Sequence, residues 1–191
     1  GGVVAPKRGA MEPGLMQKKD GTLLQYFRTQ TGKQWFAESK NEGDTWSESA
    51  PWTLVSPEAP ATLAKLPDGS GWLAIRNPTI DETNSHLGKR TPLVLETTSD
   101  EGQTWSKAKV LEGDPDKTFS YISADFHEER VLLTYYVANE KNRFSWKFRS
   151  IPLEDLPRAP APARLDRDNL LEFRRSDGTV GNVSTKEEWE K

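Results

Sequence analysis

Carboxylates, arginines and tyrosines are the side chains of this chain that could do chemistry. The 191 residues contain no cysteine, which excludes disulfides, thiolate metal sites and a cysteine nucleophile. The two histidines, His86 and His127, stand alone and fit no metal-ligand spacing. We therefore expect no metal site.

Four polar side chains stand next to predicted strands or turns. Glu12 precedes Pro13, Arg28 ends a predicted strand, Arg90 precedes another, and Tyr121 lies at the start of a third. Considered singly, each has an ordinary structural interpretation. Arginines at strand ends are usually solvated or form surface ion pairs, and a strand tyrosine usually packs in the core or at its rim. Only their order along the chain, discussed below, gives them a joint meaning.

The composition favours an all-β repeat protein. Only 34% of the residues are hydrophobic and 29% are charged, yet there are seven tryptophans. The formal net charge is −3, and the basic residues form no cluster, so we expect no nucleic-acid partner. No apolar run is long enough for a membrane span. The chain begins at Gly1 without a methionine, so we expect an upstream segment with a signal peptide, and a secreted or periplasmic protein.

Short alternating segments recur in three rounds, separated by turn residues. Each round supplies three or four strands, which is the content of one propeller blade. The predicted strands are residues 21–30, 33–39 and 52–55 in the first round, 61–66, 71–76, 92–98 and 107–111 in the second, and 120–126, 130–138 and 143–149 in the third. A short helix near Glu154 is expected to close the third round.

Two eight-residue segments repeat within these rounds. Residues 39–46 (SKNEGDTW, the first repeat) align with residues 98–105 (TSDEGQTW, the second repeat), and their tryptophans, Trp46 and Trp105, are 59 positions apart. We expect Asn41 or Asp100 to accept hydrogen bonds from turn amides, and the glycine two positions later to adopt positive φ. The tryptophan would bury a large apolar surface. Both repeats are therefore interpreted as structural.

These repeats resemble the Asp boxes, or BNR repeats, of sialidases. Three further features are similar to that family and follow its order: Glu12 before the turn at residues 19–21 and the strand ending at Arg28, then Arg90 before the second repeat, then Tyr121. The resemblance covers about residues 10–156 and implies an all-β chain: about three four-stranded blades of a six-bladed sialidase-type β-propeller, followed by a linker and a short helical tail.

The resemblance also implies roles for these residues. Tyr121 would be the nucleophile that attacks the anomeric carbon of sialic acid, and Glu12 would polarise its hydroxyl. Arg28 and Arg90 would bind the substrate carboxylate, for which planar, permanently charged guanidinium groups are well suited. A neutral tyrosine avoids the repulsion that a carboxylate nucleophile would meet from that substrate. No cofactor is implied.

Two parts of such a site are not matched in this sequence. The first arginine of the family's triad and the acid/base aspartate would lie in preceding blades, and Asp20, Asp81 and Asp125 are no obvious substitutes. We therefore expect residues 1–156 to be the C-terminal half of a propeller, partnered by its N-terminal half and inactive alone. Arg76, at a strand end before the long polar loop of residues 77–89, is predicted to be solvated rather than to face the central cavity.

The tail is predicted to differ from the propeller. Residues 157–162 form a proline-rich, stiff linker, and residues 157–191 are assigned to this linker and the start of a further domain. Residues 176–179 predict a plain turn. The segment from Ser184 to Glu187 has the pattern of a capping box and predicts the start of a helix.

Three functions agree with these features. The first is exo-acting, retaining hydrolysis of terminal α-linked sialic acid, which makes a sialylated or other acidic glycan the expected partner. The second is a propeller that binds glycans without cleaving them. The third is a propeller glycosidase for another sugar. The positions of Tyr121 and Glu12 in the folded protein discriminate between the first and the others.

Overall fold

The computed structural model describes residues 5–139, 141 and 143–159, together with the backbone of residues 172–174 and 180–182. The chain divides into two compact units, Gly1–Pro160 and Ala161–Lys191. In the part of the chain that is described, no helix is long and apolar enough to cross a membrane.

In the first unit, the described strands form three antiparallel sheets, and strands that follow one another in sequence are neighbours in the sheet. The first sheet contains β1 (Met11–Gln17), β2 (Leu23–Arg28), β3 (Lys33–Ser39) and β4 (Ala50–Val55). The second contains β5 (Thr62–Lys65), β6 (Trp72–Arg76), β7 (Leu93–Thr98) and β8 (Lys109–Glu112). The third contains β9 (Lys117–His127), β10 (Arg130–Asn139) and β11 (Phe144–Pro152), followed by a 3-10 turn at Leu153–Asp155.

This arrangement confirms the predicted all-β class and agrees with part of a β-propeller. Nearly every predicted strand is present, and the short helix after the third round is the 3-10 turn. Two details differ: the sequence did not predict β1, and the third sheet has the three strands predicted for the third round rather than the four that the sialidase resemblance implies for each blade. The prediction missed β1 because Glu12, Pro13 and Gly14 interrupt the apolar alternation that identifies a strand.

The first strand of each sheet contacts the first strand of the next, β1 with β5 and β5 with β9. These three strands are therefore the inner strands of their blades. Residues far apart in sequence meet along them, because β1 and β9 stand on either side of β5.

The core lies between the sheets. One apolar cluster joins the first and second sheets and includes Trp52 and Trp72, and another joins the second and third and includes Leu73 and Tyr135. Alternation along β6 sends Trp72 toward one cluster and Leu73 toward the other, so every residue of β6 is buried. Because the second sheet is covered on both faces, the sequence of its strand β6 is almost continuously apolar.

The two repeats form tight turns with matching hydrogen bonds. The Ser39 hydroxyl accepts from the amide of Gly43 at 2.9 Å, and the Thr98 hydroxyl accepts from the amide of Gly102 at 3.0 Å. Asn41 and Asp100 each accept from the amide four residues ahead. Both glycines have positive φ, 95° and 87°. The predicted turn geometry is confirmed, although Trp46 and Trp105 are only half-buried.

The second repeat also joins two sheets. Trp52 of β4 donates from Nε1 to the carbonyl of Gly102 at 3.0 Å, and Trp105 donates to the hydroxyl of Thr53 at 3.0 Å. The rings of Trp52 and Trp105 meet edge to face, with centroids 5.9 Å apart. This repeat is therefore an inter-blade contact as well as a turn.

The outer face of the third sheet carries exposed aromatic side chains. On the edge strand β11, Phe144, Trp146 and Phe148 are 71%, 75% and 62% exposed. Trp146 packs against Tyr136 with ring centroids 4.7 Å apart and the ring planes tilted by 58°. An apolar edge of this kind is ordinarily covered in a native protein. The expected N-terminal half of the propeller stays a prediction.

In the second unit, the described backbone forms an antiparallel pair, β12 (Glu172–Arg174) with β13 (Val180–Asn182). The helical tail is therefore not supported: what is described of the tail is strand, because residues 172–174 and 180–182 pair with each other and satisfy their backbone groups across the ladder. The predicted turn at residues 176–179 and the capping box starting at Ser184 lie outside the described residues. The boundary at residue 156 stays a prediction.

The two repeats give a matched test of packing. A Cβ added to Gly102 would lie 2.4 Å from Cζ2 of Trp52, whereas one added to Gly43 would come no closer than 3.8 Å to Trp46. Both substitutions by alanine place a side chain at positive φ, which costs about 1–2 kcal/mol. We expect Gly102→Ala to lower the free energy of unfolding by about 1–3 kcal/mol more than Gly43→Ala does, because of overpacking. Equal losses in denaturant titrations would contradict the inter-blade contact.

Candidate functional site

Tyr121 of β9 and Glu12 of β1 meet although β5 lies between their strands. The phenol of Tyr121 donates a hydrogen bond to Oε1 of Glu12 at 3.0 Å, across 109 residues of sequence. Tyr121 is 50% exposed and the Glu12 side chain is 34% exposed. The hydroxyl is thus accessible from solvent and already paired with a proton acceptor.

Both residues stand at irregularities of their strands. The β1–β2 register shifts between Met11 and Gly14, and the β9–β10 register shifts opposite Tyr121, between Thr134 and Tyr136. Glu12 and Tyr121 have φ of 51° and 55°, a region that non-glycine residues rarely adopt. A bulge of this kind re-aims one side chain out of the alternation of its strand. The two bulges turn these side chains toward each other, and such backbone strain is typical of functional sites.

Arg28 completes this contact from the end of β2. The register places it opposite Met11, next to Glu12, and its Nη1 donates to Oε2 of Glu12 at 2.8 Å. The side chain is only 12% exposed, and its Nε is buried without a hydrogen-bond partner among the described residues. Glu12 therefore uses one oxygen for Tyr121 and the other for Arg28.

Arg90 reaches the same group from the loop before β7. Its Cζ lies 5.5 Å from the centroid of the Tyr121 ring, in cation–π geometry. Its carbonyl accepts a hydrogen bond from the amide of Phe119 at 2.9 Å, which ties the loop to β9 two residues before Tyr121. Its Nη2 donates to the carbonyl of Glu58 at 3.4 Å.

A second carboxylate, Glu58, lies behind the arginines. Its side chain is 1% exposed, and it accepts from Arg8 at 2.8 Å and from Gln30 at 2.8 Å, with His86 Nδ1 at 2.7 Å and Nη2 of Arg28 at 3.7 Å. Burial acts to raise the pKa of Glu58, but the hydrogen bonds from His86 and Gln30 and the charges of Arg8 and Arg28 outweigh it. The pKa therefore lies below its ordinary value, and the group is a buried anion.

The cluster of Tyr121, Glu12, Arg28, Arg90 and Glu58 can bind an anion and activate a hydroxyl. With Arg8 included, three guanidinium groups face two carboxylates, so positive charge remains for an anionic ligand. The exposed phenol has a carboxylate within reach to take its proton. The structure thus brings together all four residues selected from the sequence.

Sequence reasoning missed Glu58 and His86. Glu58 lies between Pro57 and Pro60, in a segment without the apolar alternation of a strand, and His86 is one of two isolated histidines. Neither residue therefore belongs to a sequence pattern that indicates a functional site. Their meeting depends on the loop of residues 77–89 folding back over the segment after β4, where the amide of Glu58 also donates to the carbonyl of His86 at 2.9 Å.

Arg76 was predicted to be solvated, and this is wrong. It is 8% exposed, its Nε is 2.7 Å from Oε2 of Glu96, which is 6% exposed, and it donates to the carbonyl of Val55. A buried arginine needs a paired charge, and the next strand supplies one. The three aspartates considered earlier have local roles: Asp20, Asp81 and Asp125 each accept a bond from a backbone amide one or two residues ahead.

Comparison with known proteins agrees with this fold. The family model described as "BNR repeat-like domain" matches residues 1–130. The structure is similar to that of the intramolecular trans-sialidase from Ruminococcus gnavus in complex with oseltamivir carboxylate, with a TM-score of 0.58 and 18% identity over 78% of this chain. It is also similar to an ulvan lyase of polysaccharide lyase family 25 bound to -[GlcA(1-4)Rha3S]-, with a TM-score of 0.53 and 14% identity over 91% of this chain.

At these identities the likeness concerns the fold alone. The chain spans 34% of the trans-sialidase and 42% of the lyase. No curated protein matches it.

The strain at Tyr121 predicts an inverted order of two substitutions. In a regular strand glycine is less stable than alanine by about 0.5–1 kcal/mol. At φ of 55°, alanine keeps a penalty of about 1–2 kcal/mol that glycine avoids. We expect Tyr121→Gly to be more stable than Tyr121→Ala by about 1 kcal/mol in denaturant unfolding.

Ser123 is the control, because it is exposed, lies on the same strand as Tyr121 and is paired with Thr134 of β10. There the alanine variant should be the more stable of the two. The same order at both positions would show that Tyr121 is not strained.

Proposed function

The chain belongs to the BNR repeat-like domain family, and we propose that in the intact protein it contributes half of a retaining exo-α-sialidase site. Its fold is the BNR-type fold seen in a trans-sialidase and a polysaccharide lyase, both of which act on glycans. The choice of sialic acid rests on the hydrogen bond from Tyr121 to Glu12, within a group that also contains two arginines.

A tyrosine nucleophile suits a substrate that carries a carboxylate on its anomeric carbon. An aspartate or glutamate in that position would be repelled by the substrate, whereas a phenol is neutral until it attacks. In the proposed first step, Glu12 takes the phenolic proton while the oxygen of Tyr121 forms a bond to the anomeric carbon. The bond from that carbon to the aglycone oxygen breaks, and the oxygen leaves with a proton from an acid.

In the second step, water replaces the tyrosyl oxygen at the anomeric carbon. The proton held by Glu12 returns to Tyr121, and two inversions give net retention. The acid of the first step and the base that activates water are assigned to an aspartate from another part of the intact protein, because the aspartates considered in this chain serve local turns.

Arg28 and Arg90 are the proposed ligands of the substrate carboxylate. Arg90 lies over the Tyr121 ring and Arg28 is paired with Glu12, the hydrogen-bond partner of Tyr121. A carboxylate bound between the two guanidinium groups would bring the anomeric carbon toward the phenolic oxygen. The positive charge of Arg90 over the Tyr121 ring also favours the negative charge that develops on its oxygen during attack. A sialylated or other acidic glycan is the proposed partner.

Turnover of a fluorogenic α-sialoside by the intact protein tests this proposal. Tyr121→Phe keeps the ring and removes the attacking oxygen, so we expect kcat to fall by about a thousandfold or more. Tyr136→Phe is the matched control, because its ring packs edge-on against Tyr121 at 5.9 Å but has no proposed role in catalysis; its kcat should stay within about threefold of wild type.

Unchanged turnover in Tyr121→Phe would overturn the mechanism. An inactive wild-type protein that still binds sialylated glycans would instead favour a glycan-binding propeller. Turnover of a different glycoside would favour a glycosidase for another sugar.

A further inference from the structure

We propose that Glu58 is the positioning residue of this site: its buried carboxylate fixes Arg28 and the loop of residues 77–89 for binding of the substrate carboxylate. The inference rests on the proposed function for the identity of the ligand. Among the described residues Glu58 forms no hydrogen bond or ion pair with Tyr121, so its effect passes through the groups that it holds.

The contacts of Glu58 come from separate segments of the chain. Oε1 forms ion pairs with Arg8, from the segment before β1, and with Arg28, at the end of β2. Oε2 accepts a hydrogen bond from Gln30, in the segment after β2. It is also hydrogen-bonded to His86, in the loop of residues 77–89. One carboxylate therefore connects the segment before β1, the end of β2 with the residues after it, and the loop of residues 77–89.

The main chain of Glu58 reinforces the same connections. Its amide donates to the carbonyl of His86 at 2.9 Å, and its carbonyl accepts from Nη2 of Arg90 at 3.4 Å. The loop is thus held at His86 by both a side-chain and a backbone contact. Both proposed carboxylate ligands, Arg28 and Arg90, touch Glu58.

Charge explains why a carboxylate is needed at this position. Arg28 is 12% exposed and lies between Glu12 and Glu58, so its position depends on two counter-charges. If Glu58 were neutral, Arg28 would be drawn to Glu12 alone, and the repulsion between Arg8 and Arg28 would no longer be offset. An amide would also turn an NH₂ donor toward groups that are themselves donors. Arg28 and the loop should then both move.

A buried carboxylate could instead serve only to stabilise the fold, and Glu96 provides the comparison. Glu96 is 6% exposed and its carboxylate is paired with the buried Arg76. In the described part of the chain it forms no hydrogen bond or ion pair with the four residues Tyr121, Glu12, Arg28 and Arg90. Glu96→Gln should therefore lower stability without changing ligand binding. Glu58→Gln should change binding beyond any loss of stability.

The experiment compares the intact wild-type protein with Glu58→Gln, His86→Ala and Glu96→Gln. Kinetics on a fluorogenic α-sialoside should show KM raised about tenfold in Glu58→Gln with kcat within about threefold, the pattern of lost ground-state binding. His86→Ala should raise KM by about threefold; its side chain is 64% exposed, so this variant is expected to fold even if Glu58→Gln does not. Glu96→Gln should leave KM unchanged.

Hydrogen exchange provides a readout that does not require activity. In Glu58→Gln and His86→Ala, the amides of Asp81 and Leu87, which are bonded within the loop, should exchange about tenfold faster, while Glu96→Gln leaves them at the wild-type rate. Wild-type KM and wild-type loop exchange in Glu58→Gln would overturn the proposal. So would the same changes in Glu96→Gln, because they would then be a general effect of lost stability.

An inactive wild-type protein would refute the proposed function without deciding the role of Glu58. In that case loop exchange alone decides: faster exchange in Glu58→Gln and His86→Ala supports positioning, and unchanged exchange in both refutes it.

Discussion

The contact of the inner strands is the constraint on which the site depends. β1, β5 and β9 must lie side by side, because each sheet buries one face against the next through the two apolar clusters. That packing brings Tyr121 of β9 to Glu12 of β1 across 109 residues. The bulges at both residues then turn the side chains out of the strand alternation and toward each other. Packing of the sheets thus brings Tyr121 and Glu12 close together, and the strained backbone at each residue directs its side chain toward the other.

Electrostatics adds a second layer to this scaffold. Guanidinium groups crowded near one point repel each other, and only buried or half-buried carboxylates can hold them there at modest cost. Glu12 and Glu58 both provide negative charge next to the arginines. Glu12 lies at the exposed front and shares its oxygens between Tyr121 and Arg28, while Glu58 lies behind the arginines and is excluded from solvent. Arginine remains in excess over carboxylate in this cluster, which suits the anionic ligand proposed above.

The features that the sequence predicted well are those with a local or periodic signal. Alternation identified ten strands closely, and the two repeats predicted the hydrogen bonds at Asn41 and Asp100 and the positive φ at Gly43 and Gly102. The resemblance to sialidases selected Glu12, Arg28, Arg90 and Tyr121, which lie together in the structure. Spacing alone would not have found them, because each has an ordinary structural interpretation.

Features that depend on long-range packing were not predictable in this way. In the sequence, Arg76 is a charged residue at the end of a strand, which indicates exposure. It is buried because Glu96 of the neighbouring strand pairs with it. In the sequence, Glu58 belongs to a proline-flanked turn, and its contacts with Arg8, Arg28, Gln30 and His86 form only when the chain folds. The bulges at Glu12 and Tyr121 belong to the same class, since register is a property of two strands rather than one.

Trapping of the covalent intermediate tests the central claim most directly. A 3-fluorosialosyl fluoride retains the carboxylate and loses its anomeric fluorine as fluoride when the nucleophile attacks. The fluorine at C3 remains in the glycosyl-enzyme and slows its hydrolysis. After reaction with the intact protein and digestion, we predict one fluorosialosyl group on the peptide that contains Tyr121, attached to the phenolic oxygen. Attachment to Glu12 or to another carboxylate, or turnover of sialosides without any label on Tyr121, would contradict a tyrosine nucleophile in this fold.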